Sequence, residues 1–104
     1  MISIVDNDIS ICQDKECHLL FYFTAKWCGP CQNIKPSIQK LSEDADPSIL
    51  EIYMIDIDEN EDMANEFQIR SVPTFHLYHK RELKGQVNGT NKAEIQDLIN
   101  RIAD

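Results

Sequence analysis

Basic residues are scarce in this chain: ten Lys and Arg stand against 18 Asp and Glu, giving a formal charge of -8 at pH 7. Phosphate backbones and anionic membrane surfaces attract basic faces, so charge excludes nucleic acid and membrane as partners and favours a protein with a basic patch. Long apolar runs are also missing. The opening "MISIVDND" carries no basic segment followed by an apolar stretch, and no run approaches the roughly 20 residues of a membrane span, so a cytoplasmic protein is expected. With three glycines and four prolines there is no Gly/Ser/Pro-rich linker and no repeat, which predicts one compact domain over residues 1–104. A chain of that size buries a core without disulfide or metal. Its four cysteines are then available for chemistry, and without a secretory signal a close pair points to catalysis or metal binding.

The apolar pattern that is present orders the chain. "HLLFYFTA" (18–25) is nearly continuous, as a strand covered on both faces requires. After it, Cys31, Ile34, Ile38 and Leu41 recur at helical spacing, with Pro30 in the first turn, where its missing N–H costs nothing, and Pro36 inside the helix, where it favours a kink. "SILEIYMIDID" (48–58) reads as a second strand and "ENEDMANEFQI" (59–69) as a short helix with acidic residues in its first turn. "VPTFHLYH" (72–79) and "LKGQVNG" (83–89), separated by "KRE", predict an antiparallel hairpin. The closing helix places Ile95, Leu98, Ile99 and Ile102 on one face, with Asn91 and Glu94 resembling a capping box. "ISIV" reads as a short strand and "DISICQDKE" (8–16) as a weak helix. The order predicts an α/β fold, a mixed sheet with helices on both faces and reactive groups at the carboxyl ends of strands.

Cys28 lies at such an end. Thiol–disulfide exchange needs a thiolate, and a helix starting at Gly29 or Pro30 would turn unpaired N–H groups and the positive end of its dipole towards that sulfur. Cys31 is one turn further on, within reach of Cys28 and placed to resolve a mixed disulfide. Gly29 permits close approach of a substrate backbone, and Pro30 stiffens the ring that closes when the sulfurs join. The C-x-x-C spacing alone also suits a zinc site completed by Cys12 and Cys17, or two inert buried thiols. The first has the wrong spacing for the common ribbon; the second does not explain the surrounding Trp, Gly and Pro.

"AKWCGPCQNIKP" (25–36), "SVPTF" (71–75) and Gly89 together resemble the thioredoxin family over essentially the whole chain. The resemblance implies a thioredoxin fold and a protein disulfide reductase active in electron transport and redox homeostasis. Cys28 would be the attacking thiolate and Cys31 the resolving thiol. It also implies a cis Pro73 facing the pair, Val72 pairing through its backbone with an extended substrate, and Trp27, Gly29, Pro30 and Gly89 on the contact surface. No cofactor or metal is implied beyond the Cys28–Cys31 disulfide itself. The implied partners are protein disulfides and an NADPH-dependent thioredoxin reductase, with a monomer as the working state.

The sequence departs from the family below the site. Six residues before Cys28, where most members carry a buried aspartate credited with deprotonating the resolving thiol, stands Tyr22, and the partner lysine is replaced by Met54. Losing both charges together avoids leaving one buried and unpaired. A phenol with an ordinary pKa of about 10 is a poor base, so this pKa-tuning position predicts intact folding with slower resolution, or resolution with water as base. Tyr22 as a simple core filler is the competing reading. Cys12 and Cys17 read as reduced, half-buried thiols, with a regulatory disulfide or dimer link as the alternative. His18, His76 and His79 have no metal spacing and no assigned role, and "DIDENED" (56–62) reads as a solvated helix start that also suits steering of basic partners. The same residues are also compatible with two other functions: an oxidant or isomerase of the same fold, and a non-enzymatic binding module.

Overall fold

The structure is a computed structural model that describes residues 1–8 and 15–103. The weak helix expected over 8–16 falls almost wholly outside the described residues. The elements run β1 (Ile2–Ile4), β2 (His18–Thr24), α1 (Gly29–Asp44), β3 (Leu50–Asp56), α2 (Glu61–Glu66), β4 (Thr74–His79), β5 (Glu82–Asn88) and α3 (Lys92–Asn100), with a final 3-10 turn over Arg101–Ala103. The strands form one sheet in the order β1-β3-β2-β4-β5. The β1–β3 and β2–β3 pairs are parallel, and β4 and β5 run antiparallel to β2 and to each other. The expected α/β architecture is therefore the observed one.

Alternation along β2 sorts its side chains between two cores, because successive residues of a strand point to opposite faces. Leu20 and Tyr22 pack with Ile34 and Ile38 of α1 and with Ile95 and Leu98 of α3. Leu19, Phe21 and Phe23 pack with Met63 of α2. Every residue from Leu19 to Thr24 is buried as a result, which explains the unbroken apolar run in the sequence. Pro36 sits inside α1. Asn91 caps α3 by accepting the Glu94 N–H at 3.1 Å, half of the expected box. The hairpin turns through Lys80 and Arg81, at φ of 52° and 67°, without a glycine. Gly85 answers a different constraint: a Cβ there would lie 2.6 Å from both Leu98 Cδ1 and Arg101 Nη1, so a larger residue would require the ends of those two side chains to shift.

The stretch 56–62 is the expected solvated helix start at Asp58, Glu59, Glu61 and Asp62, all exposed, with Glu61 and Asp62 in the first turn of α2, but two of its residues turn inward. Asp56 and Asn60 are buried. Asn60 donates to the carbonyls of Ile4 (2.9 Å) and Asp56 (3.0 Å) and accepts the N–H of Asn7 (2.8 Å), while Asn7 Oδ1 accepts the N–H of Met63 (3.0 Å). Buried polar groups must be hydrogen-bonded, and here they clasp the loop after β1 to the start of α2.

Candidate active site

Strand β2 ends at Thr24, and the chain turns through Ala25 into α1. The Ala25 carbonyl accepts the Cys28 N–H at 3.2 Å and the Gln32 side-chain amide at 2.9 Å, which closes the turn. Cys28 then stands as the N-cap of α1 in extended conformation, and its Sγ accepts the Cys31 N–H at 3.2 Å. A helix N-terminus leaves several N–H groups without intrahelical partners. Here one of them is aimed at the sulfur, which favours negative charge on Cys28.

Cys28 and Cys31 are joined as a disulfide with Cα atoms 5.3 Å apart. Cys28 retains 6% of its surface exposed and Cys31 none, so an incoming group meets Cys28 first. Val72 and Pro73 lie on the facing loop. The Val72–Pro73 peptide bond is cis, and the Val72 carbonyl oxygen is 3.7 Å from Cys28 Sγ. Gly89 joins the same loop by donating its N–H to the Pro73 carbonyl at 2.9 Å, with a φ of 106° that favours glycine. Gly29 has open space where a Cβ would stand. Trp27 is 69% exposed, and its indole N–H donates to Asp58 at 2.9 Å.

Tyr22 lies below the pair, fully buried, with its ring stacked on Phe75 at 5.1 Å. It pairs in register with Met54, so the two departures from the family pattern occupy neighbouring strands directly opposite one another. The Tyr22 hydroxyl donates to the Cys31 carbonyl at 2.7 Å. Burial pushes the phenol pKa up, an effect partly offset by the nearby Thr24 hydroxyl. That hydroxyl is itself buried without a hydrogen bond of normal geometry. Thr24, Met54, Asp56 and Lys35 line a cavity of about 150 Å³ beside the strand ends.

Three features of this region were not anticipated from the sequence: the Tyr22–Cys31 hydrogen bond, the Trp27–Asp58 hydrogen bond and the buried Asn60. The Asp58 role had a weak signal, since an acidic residue two positions beyond a strand end sits beside the neighbouring strand's exit loop. Cys17 is a free, half-buried thiol whose pKa is raised by burial and by Glu51; Cys12 lies outside the described residues. Among the described residues no group of His, Cys, Asp and Glu is arranged to hold a metal ion. His18 and His79 stack on each other at 4.0 Å, while His76 is buried.

The thioredoxin family model matches residues 6–101. The chain belongs to the thioredoxin family. It is similar to human thioredoxin, at 36% identity over 80 residues that span 77% of this chain and 74% of that protein. It is also similar to the mitochondrial thioredoxin O1 of Arabidopsis thaliana, at 36% identity over 92% of this chain and 50% of that longer protein. Among solved structures, Fasciola hepatica thioredoxin superposes with a TM-score of 0.86 at 28% identity, covering 97% of this chain and 98% of that one. The W-C-G-P-C segment thus places a redox-active Cys28–Cys31 pair on a thioredoxin fold, and the chain is a thiol–disulfide oxidoreductase with the dithiol–disulfide chemistry of a protein disulfide reductase.

Proposed function

We propose that Cys28 is the attacking thiol and Cys31 the resolving thiol. In the first step the Cys28 thiolate attacks one sulfur of a substrate disulfide, forming a mixed disulfide and releasing the other substrate sulfur as a thiolate that takes up a proton. In the second step Cys31 loses its proton and attacks Cys28 Sγ, which frees the remaining substrate thiol and leaves the Cys28–Cys31 disulfide. Two electrons pass to the substrate in each cycle. An NADPH-dependent thioredoxin reductase would return them, and the chain needs no cofactor of its own. The observation carrying this assignment is the Cys31 N–H held 3.2 Å from Cys28 Sγ at the head of α1, because it stabilises charge on Cys28 and on no other described thiol.

The substrate would lie as an extended segment along Val72 and Pro73, with Trp27, Gly29, Pro30 and Gly89 around it. The Val72 carbonyl near Cys28 Sγ and the exposure of Trp27 support this reading. Tyr22 is the tuning position: it fixes the first turn of α1 through the Cys31 carbonyl but supplies no base, so resolution depends on water. We place the protein in the cytoplasm as a monomer, one domain over residues 1–104. This reading is supported by the acidic composition and by the lack of a Gly/Ser/Pro-rich linker.

Trapping tests the order of attack. Incubated with an oxidised protein substrate, Cys31→Ser should accumulate a mixed disulfide through Cys28, whereas Cys28→Ser should accumulate none. A mixed disulfide carried by Cys31 instead would reverse the assignment, and a Cys28→Ser protein that retained its function would make the fold a scaffold.

A further inference from the structure

The loop that presents Val72 and Pro73 has a second side. Between the segment following α2 and strands β4 and β5 lies a cavity of about 230 Å³, ample for a carboxylate and its stem. Its lining includes Arg70, Ser71, His76, Gln68, Gln86 and Asn88, and no Asp or Glu. That composition is unusual for a chain with 18 acidic residues against 10 basic ones.

Arg70 can only donate there, the amides and hydroxyls of the lining can donate as well as accept, and no carboxylate competes for them. Arg70 is exposed and makes no ion pair among the described residues. Asn88 has its side-chain oxygen engaged by the Thr74 hydroxyl at 3.2 Å, which leaves its NH2 as the free end. His76 is only 5% exposed, and its Nδ1 has no hydrogen-bond partner. Its ring is otherwise surrounded by Phe23, Phe67 and Tyr78, so the cavity is the polar side of its environment. A buried polar atom left unpaired costs free energy. A ligand oxygen entering the cavity would meet the donors of Arg70, Gln86 and Asn88 and relieve that cost if it reached His76.

We propose that this cavity is a carboxylate-binding site flanking the substrate loop, and that it receives an acidic side chain of the protein whose disulfide lies at Cys28. The carboxylate is the group that suits a planar guanidinium with neighbouring amide donors. Ser71 and Thr74 belong to both the cavity and the loop around Val72 and Pro73, so a substrate strand on that loop has the site beside it. This occupant rests on the reductase reading of the Cys28 site. The cavity's preference for a carboxylate does not.

Two measurements separate these dependences. The first titrates sodium acetate into the oxidised protein, with sodium chloride at matched ionic strength as control, and follows amide and imidazole NMR signals. Saturable shifts confined to Arg70, Ser71, His76, Gln86 and Asn88 are expected; shifts equal to those in chloride would overturn the site. The second compares reduction of paired disulfide peptides differing only by Glu or Gln, with that residue placed in turn at each position flanking the cysteine. At one position the Glu peptide should have a KM at least about threefold lower than the Gln peptide, the scale of a partly exposed ion pair. In Arg70→Gln that ratio should collapse to about one, and in Arg70→Lys it should be partly retained. Equal KM values at every position, alongside acetate shifts, would overturn the substrate side chain as occupant in favour of a free small carboxylate. Failure to reduce either peptide would instead count against the reductase reading.

Discussion

Tyr22 and an aspartate at the same position make opposite demands on the core. The phenol fills space against Phe75 and donates to the Cys31 carbonyl at 2.7 Å, while a carboxylate would offer a proton acceptor but leave a cavity and a buried charge opposite Met54. Tyr22→Asp is therefore expected to speed decay of the mixed disulfide in stopped-flow measurements while lowering stability by about 3–5 kcal/mol, the range for a large buried side chain exchanged for a small one. An unchanged decay rate in the folded variant would show that proton removal from Cys31 does not limit resolution. Tyr22→Phe keeps the ring stack and removes only the donor. It should cost about 1–2 kcal/mol by urea unfolding, the usual range for a buried hydrogen bond whose acceptor loses its partner. The sequence makes the departure at residue 22 visible, because it stands at a fixed distance from Cys28. It does not reveal the phenol's partner, since a contact between a strand side chain and a helix carbonyl leaves no periodic trace.

At the scale of elements, strands and helices were legible wherever one physical pattern dominated. The unbroken run of β2 reflects burial on both faces, and the spacing of Ile34, Ile38 and Leu41 reflects one helical face against the sheet. The C-x-x-C segment was legible for the same reason, since a strand end, a proline and a helix start coincide there. In the stretch 56–62 the acidic letters correctly signal exposure at Asp58, Glu59, Glu61 and Asp62, but not the burial of Asp56 and Asn60. Asn60 is held inside by Ile4 and Asn7, more than 50 residues away, and no local pattern encodes such a pairing. The Asn60 clasp predicts its own importance. Asn60→Ala would strand the Ile4 and Asp56 carbonyls and the Asn7 N–H, and should lower stability by about 2–4 kcal/mol, taking roughly 1 kcal/mol for each lost bond. Hydrogen exchange should then accelerate in β1 and at the start of α2 before β2 or β4; uniform acceleration would mean that the clasp acts only on global stability.

For the whole molecule, pH acts through two histidines whose charged form the fold disfavours. Burial lowers the pKa of His76, and burial together with the His79 ring and Lys84 lowers that of His18. In the unfolded chain both titrate near the ordinary value of about 6.5. Between that value and the lower folded values, the unfolded state binds protons that the native state refuses, so stability falls as pH drops through about 6.5 and rises again as it is raised. The groups near His76 are Tyr78 on its own strand, whose phenol pKa is pushed up by burial, and the guanidinium of Arg70 across the cavity. Relief of self-repulsion in a chain of charge -8 works in the opposite direction on acidification, so the clean observable is a difference between proteins. Urea midpoints measured from pH 7.5 to 5.5 should fall more for wild type than for a His18→Gln, His76→Gln double variant, with each single variant between them. Parallel pH profiles for wild type and the double variant would show that neither histidine is held neutral in the native state.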